Sequence, residues 1–371
     1  MARFKLGIEC ENLEDARSRW GVGHLVLNLL REYAKNPELQ KEFELYLYFK
    51  CSIPDDEVLK NPIFIKRVSR ARSFNFFYHI LLPFRAMRDR LDVLFFPSYM
   101  LPPLYIGKSL VVLTNDVYYE YKKGTLPLKY RLAYRIFCNW AARRATKILA
   151  ISEASKKEVS KLFNIKPRRI LVSRLGTKQH STEEKATEYG EYMLYVAQMF
   201  PRRRALESIK AFEKIAPEFP DLNFVLVGKD KYNPPIIIEA VAEANNKLGK
   251  KRIYHFEYID SDKEVEKLYN GTKLFVYISS SEAFGLPPVE AAGSGVPVVV
   301  KDSELNHELF GDAAFFVKDE TDVSEIASVF REGLKNEEKR GSFIEQNRNI
   351  SDRLSWSNFA KSFFKNVKEN F

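Results

Sequence analysis

Cysteine is scarce. The chain has three in 371 residues, Cys10, Cys51 and Cys138, and they are odd in number and far apart. That pattern argues against a disulfide framework or a metal-binding knuckle and fits a reducing compartment. No apolar run is long enough to cross a bilayer. The opening MARFKLGIEC reads as a strand with no apolar leader segment behind it, so no signal peptide is expected. No RNA- or DNA-binding motif accompanies the basic residues, and no nucleic-acid partner is expected. What remains is a globular protein, expected in the cytoplasm. Its 45% hydrophobic content is enough for a core, and its length suggests about two domains. The net charge of +10 is unevenly spread: residues 1–180 carry 33 Lys and Arg against 17 Asp and Glu, and the remaining 191 carry 26 against 32. Such asymmetry implies an anionic partner for the first half.

Short apolar runs rich in β-branched and aromatic residues recur along the chain. They lie at 4–8, 44–49, 93–96, 110–113, 147–150 and 170–172, then at 192–196, 223–227, 253–256, 274–277 and 296–300. Helical patterns separate them. This alternation predicts an α/β protein with parallel sheets covered on both faces. The polar stretch 178–191 reads as a linker. Two doubly wound, Rossmann-like domains are therefore expected, at 1–180 and 190–354, with a closing segment at 355–371. Ligands of such sheets bind at the carboxyl ends of strands where the strand order reverses, and two such edges facing each other would make a cleft.

The most informative stretch is ISSSEAFGLPPVEAAGSGVPVVV, residues 278–300. It predicts a turn after a buried strand, a helix from about Pro288 and a second strand at Val296–Val300. Two carboxylates frame the turn, Glu282 in the loop and Glu290 about one turn into the helix. The amides of Phe284, Gly285 and Leu286 lie just before the helix N-terminus, where the helix dipole favours a phosphate. Phosphate in the middle and hydroxyl-binding acids at both ends describe a nucleotide sugar. Taken as two isolated residues, Glu282 would cap a turn and Glu290 would be a solvated helix residue.

The core Glu282-Ala-Phe-Gly-Leu-Pro-Pro-Val-Glu290-Ala291 resembles the Glu-x7-Glu signature of family 4 of the retaining glycosyltransferases, and the similarity extends over most of the chain. The resemblance implies a GT-B fold. It also implies retaining transfer of a sugar from a nucleoside-diphosphate sugar, with no cofactor and no metal. Glu282 would face the transferred sugar and stabilise positive charge as its bond to phosphate breaks. Glu290 would hold the ribose hydroxyls. In Tyr192–Arg204, Arg203 falls on the family's diphosphate-pairing lysine and Arg202 on its neighbour; the arginine fork suits two phosphate oxygens. Gln198 stands where many members carry another Arg. An uncharged polar residue there is commoner among members using GDP-mannose. Gly228 would lie beneath the nucleoside, and the backbone around Tyr258 would border the base.

In the first half, Gly21 and Gly23 of Arg17-Ser-Arg-Trp-Gly-Val-Gly-His24 resemble the family's glycine loop. VVLTNDVYYEY reads as a strand leading into a loop, with Asn115 replacing the family's His and Asp116 matching its Asp. Asn115 would hydrogen-bond a sugar hydroxyl. Ser152 and Glu153 are expected to start a helix. Asp260-Ser-Asp262 matches a metal-binding D-x-D pattern, but Asp262 is read as a helix N-cap. Ser303–Ala314 and the segment from Ser355 also resemble family elements, Glu308 matching and His307 departing; the last helix of such folds often returns to the first domain.

Residues 67–90 interleave arginines with aromatics and leucines, as do the aromatics and bases of 99–105 and 118–123, expected in loops. They read either as an anionic-membrane contact or as a core-facing helix with a solvated arginine face. The combined expectation is a mannosyltransferase that uses GDP-mannose and a glycan or lipid-linked acceptor in cell-surface polysaccharide synthesis, cytoplasmic and peripheral on the membrane's inner face. A non-catalytic nucleotide-sugar-binding protein and a nucleotide-sugar epimerase are the competing classes.

Overall fold

The computed structural model describes residues 3–14, 21–123, 127–177 and 183–371. The chain divides into two compact units, residues 1–176 with 356–371, and residues 177–355. The first carries strands β1 Phe4–Glu9, β2 Phe43–Phe49, β3 Ile65–Val68, β4 Val93–Phe96, β5 Ser109–Val112, β6 Lys147–Ala150 and β7 Ile170–Val172. They form one parallel sheet in the order β3-β2-β1-β4-β5-β6-β7. The second unit carries β8 Glu191–Val196, β9 Leu222–Val227, β10 Ile253–Phe256, β11 Leu274–Tyr277, β12 Val298–Lys301 and β13 Phe315–Val317. Its parallel order is β10-β9-β8-β11-β12-β13.

Strands such as β4, β5 and β11 are buried along their whole length. Helices cover both faces of such sheets, which is why these strands read as continuous apolar runs. The two strands not anticipated lie at sheet edges. β3, IKRV, is half-buried and half polar; β13 is only three residues long. The helix expected from Pro288 starts two residues earlier and spans Leu286–Gly293. The strand expected at 296–300 is displaced to β12.

The last helix, Trp356–Asn370, belongs to the first unit. Phe363 packs on Phe95 with ring centroids 4.9 Å apart. Phe364 lies 4.9 Å from Phe43 and 5.6 Å from Tyr33. Asn366 Nδ2 donates to the Val172 carbonyl at 2.8 Å, satisfying the end of β7.

Several expectations about loops are corrected. The segment after β5 is a helix, Asn115–Lys123, rather than a loop. Tyr105 is buried, its hydroxyl donating to the Lys108 carbonyl at 3.2 Å. The cap of the Asp262–Gly271 helix is Ser261, whose Oγ accepts from the Glu264 amide at 3.4 Å; Asp262 is the first helical residue. Ser152 does cap the helix Glu153–Phe163, through the Ser155 amide at 2.9 Å. Of the stretch 67–90, residues 74–88 are helical with a π turn at Phe77–Leu81. Phe77, Tyr78, Leu82 and Ala86 enter the core. Arg67 forms a bidentate pair with Asp89 at 2.9 and 3.1 Å, and Arg85 donates to the Val68 carbonyl at 2.7 Å. The linker residues 178–182 lie outside the described residues.

Candidate nucleotide-sugar site

In the second sheet the strand order reverses between β8 and β11. At that reversal the crossover helices run to opposite faces, which leaves room for a ligand at the strands' carboxyl ends. After β8 the chain makes a short turn at Pro201–Arg203 and enters the helix Ala205–Ile215. After β11 it runs through Ser279–Glu282 to the Leu286–Gly293 helix. One backbone bond and one side-chain bond join the two loops: the Ser280 amide donates to the Arg202 carbonyl at 2.8 Å, and Arg202 Nη1 donates to the Ser281 carbonyl at 3.0 Å.

The reversal point holds an ion cluster. Glu282 Oε1 accepts from Arg202 Nη1 at 2.6 Å, Arg203 Nε at 2.8 Å, the Tyr277 hydroxyl at 2.9 Å and Ser279 Oγ at 3.1 Å. Arg203 Nη2 reaches Oε2 at 3.4 Å. The three charged side chains are nearly dry, with exposures of 4% for Arg202, 18% for Arg203 and 11% for Glu282. Burial by itself would raise the Glu282 pKa. The charges of Arg203 and Arg202 outweigh it, helped by hydrogen bonds from Arg203 and Tyr277, and hold the carboxyl at about 2. Two cations face one anion here, and an excess positive charge in a low-dielectric setting attracts a further anion strongly.

A helix tip with free amides lies beside this cluster. Gly285 is the N-cap of Leu286–Gly293 with φ +83°, a conformation that glycine adopts without strain. A methyl group at Gly285 would sit 4.0 Å from the Tyr277 ring. The Arg203 guanidinium lies 5.7 Å from the centroid of the same ring. The amides of Phe284, Gly285 and Leu286 donate no hydrogen bond among the described residues. Pro287 and Pro288 follow and have no N–H, so these three amides are the donors that the tip offers.

The other predicted donor-site residues scatter around this centre. Glu290 is half-buried, and its Oε2 accepts from the Tyr269 hydroxyl at 3.3 Å. Gln198 is half-buried, with its carbonyl accepting from Arg203 Nη1 at 3.3 Å. Tyr258 is exposed in the loop after β10. Gly228 follows β9 with φ +144°, and a Cβ there would lie 1.8 Å from the Ala197 carbonyl oxygen. Its first role is therefore to let the ends of β8 and β9 pack. In the first unit, Asn115 and Asp116 open the helix after β5. Asn115 is buried, its Oδ1 accepting from Ser155 Oγ at 3.0 Å. That bond ties two helices together. Asp116 Oδ1 is buried with no hydrogen-bond partner among the described residues. Gly21 caps the helix Val22–Ala34 with φ +65°, and Gly23 is buried in its first turn. Arg17–Trp20 lie outside the described residues. Among the described residues no three His, Cys, Asp or Glu side chains gather as metal ligands.

Sequence reasoning passed over Tyr277, Ser279 and Arg204. Tyr277 ends β11 and reads as part of its apolar run, and Ser279 lies two residues beyond that run. Arg204 takes φ +50° at the N-cap and reaches Glu207 at 3.1 Å and Ser280 Oγ at 3.2 Å. Glu320 bridges Ser280 and Lys301, each at 2.8 Å. These partners come from separate strands, and no local spacing links them.

The two parallel sheets, with the ion cluster at the second one's reversal point, define a GT-B-type α/β protein. Residues 177–350 match the family model described as Glycosyl transferases group 1. The chain is 27% identical over 226 residues to O-antigen chain mannosyltransferase B of Escherichia coli, covering 57% of each. It is 29% identical over 174 residues to the serotype-specific mannosyltransferase WbdA of Escherichia coli, covering 47% of this chain and 20% of WbdA. The chain thus spans a fifth to somewhat over half of the length of these relatives. Among solved structures, Anabaena HepE in complex with UDP-glucose has a TM-score of 0.72 at 13% identity, over 99% of this chain and 100% of that one. WaaG, a glycosyltransferase involved in lipopolysaccharide biosynthesis, has a TM-score of 0.68 at 15% identity, over 98% and 99%. At such identities the likeness is one of fold.

Proposed function

We propose that the protein is a retaining glycosyltransferase that moves mannose from GDP-mannose to a hydroxyl of a glycan or lipid-linked glycan during cell-surface polysaccharide synthesis. The observation that carries the reading is the Arg202–Arg203–Glu282 cluster beside three unpaired amides at a helix tip. The names of the matched relatives, mannosyltransferases of O-antigen chains, support the sugar and the pathway class. The neighbour solved with UDP-glucose supports a nucleoside-diphosphate sugar as donor.

The diphosphate lies between the Arg203 and Arg202 guanidinia and the amides of Phe284, Gly285 and Leu286. Glu290 takes ribose hydroxyls, and Gly228 and the Tyr258 backbone border the base. As the bond from the sugar's anomeric carbon to the phosphate oxygen breaks, its electron pair goes to the phosphate, where the arginines stabilise it. The acceptor oxygen forms its bond on the same face of the sugar. Its proton passes to the departing phosphate oxygen, so the step requires no protein base. Glu282 stabilises the positive charge that develops on the sugar. With arginines and amides holding the diphosphate, the positive charge comes from the protein itself.

Calorimetric titration with GDP, UDP and their sugars tests the reading. Saturable binding of a nucleoside diphosphate, weakened about tenfold or more by Arg203→Ala, is expected. No binding of either nucleotide by the parent protein would overturn it. A donor panel read by thermal stabilisation identifies the sugar through linkage, and the anomeric configuration of the product tests retention.

A further inference from the structure

We propose that the helix Leu128–Arg144 docks the first unit on an anionic lipid bilayer. Leu128, Leu132 and Ile136 follow one another at four-residue steps, so they form a row along one face of the helix. They are 79%, 55% and 56% exposed. The opposite face is anchored: Cys138, Ala141 and Ala142 are buried, Phe137 stacks on His79 at 5.7 Å and Tyr134 on Tyr99 at 4.7 Å. The row therefore points outward by construction.

Charge selects the occupant. The helix carries Lys129, Arg131, Arg135, Arg143 and Arg144 and no acidic residue. Lys129, Arg135, Arg143 and Arg144 form no ion pair among the described residues. Tyr130 is half-exposed, with the Lys129 ammonium 4.9 Å from its ring centroid, an amphipathic pair suited to headgroup level. A second copy of this helix would present the same positive charge and be repelled. An anionic lipid surface matches both properties, taking the leucine row into the acyl boundary and the bases onto phosphates. The stretch 74–88 fits less well: its arginines are Arg85 and Arg88, and Arg85 already donates to the Val68 carbonyl.

Sedimentation of the full-length protein with phosphatidylcholine vesicles, with and without phosphatidylglycerol, tests this without any donor or acceptor. Its failure is thus separate from that of the proposed transfer reaction. Binding should require the anionic lipid and weaken as salt rises. The double variant Leu132→Glu, Ile136→Glu should bind about tenfold more weakly or worse, and Lys129→Glu, Arg135→Glu should do the same. A control, Phe76→Ser with Phe84→Ser, should bind as the parent does. All three should keep the parent's melting temperature and its turnover on a water-soluble acceptor. No binding to anionic vesicles, or binding lost only in the Phe76 and Phe84 control, would overturn the proposal. Loss of a concentration-dependent dimer in the helix variants would also overturn it and identify the face as a self-association surface.

Discussion

Replacing Glu282 by Gln keeps the side chain's shape and removes its charge, leaving Arg202 and Arg203 buried without their counter-ion. The cost follows from the structure in two ways. The carboxyl is held at about 2 against an ordinary 4.5, a depression worth roughly 3 kcal/mol of stability at neutral pH. Breaking a buried ion pair by deleting one partner costs about 3–5 kcal/mol. The second unit comprises residues 177–355. For a unit of that size the loss amounts to a melting temperature lower by about 10 °C. The sign with pH is fixed: a depressed folded-state pKa gives a contribution that is full above 4.5 and is lost as pH falls toward 2. The gap between parent and variant should therefore shrink over that interval and be widest at neutral pH. A nucleoside diphosphate supplies the anionic charge that the variant lacks, so GDP should raise the melting temperature of Glu282→Gln more than that of the parent. Turnover should nevertheless fall about a hundredfold, because the charge facing the sugar is gone. Differential scanning fluorimetry across pH, with and without GDP, reads all but the last. A variant that melts like the parent at neutral pH, or loses GDP affinity as Arg203→Ala does, would refute the account of the arginines as a shared anion site.

Tyr277→Phe removes a donor to Glu282 Oε1; it should cost about 1 kcal/mol in stability. If Tyr277 positions that carboxylate, steady-state kinetics should show kcat falling with little change in KM. Gly228→Ala puts a methyl group 1.8 Å from the Ala197 carbonyl oxygen at a φ of +144°. Thermal melting should show a loss of roughly 3 kcal/mol or more, and a parent-like melting temperature would refute the close packing. Glu9, fully buried at the end of β1, has its pKa raised to about 8 by burial, with the charges of Glu11 and Glu14 adding to it against the Glu11 amide hydrogen bond. A raised folded-state pKa gives stability that is full below the ordinary 4.5 and lost as pH rises through about 8. The first unit should thus lose stability between these limits, and Glu9→Gln, which can still accept the amide bond, should flatten that slope in a thermal melt.

The sheets were legible because burial on both faces writes itself into the chain as runs of Val, Leu, Ile and Phe. β3 escaped notice because edge placement lets the adjacent pair Lys66 and Arg67 interrupt its apolar residues, and β13 because three residues carry no period. The loop from Glu282 to Glu290 was legible because Gly285 and the prolines after it demand a particular entry into a helix. Asn115 misled because a short polar pair after a strand, Asn-Asp, opens a helix as readily as it starts a loop.

What no local reading gives is the pairing of Glu282 with Arg202 and Arg203. It depends on β8 and β11 being neighbours, which is a property of the strand order alone. Once they are neighbours, the chemistry has a consequence. If, as proposed, these guanidinia accept a diphosphate, they are costly to hold ready in a dry place, since two like charges side by side destabilise the empty site. Glu282 lowers that cost by standing in for the ligand's negative charge and fixing the planes of both forks. The same carboxylate then opposes donor binding, because the arginines it neutralises attract a second anion less strongly. Stability of the empty protein and affinity for the nucleotide are thus set against each other through one oxygen atom, Oε1. Glu282→Gln, which removes the carboxylate and leaves both arginines, should shift the two in opposite directions.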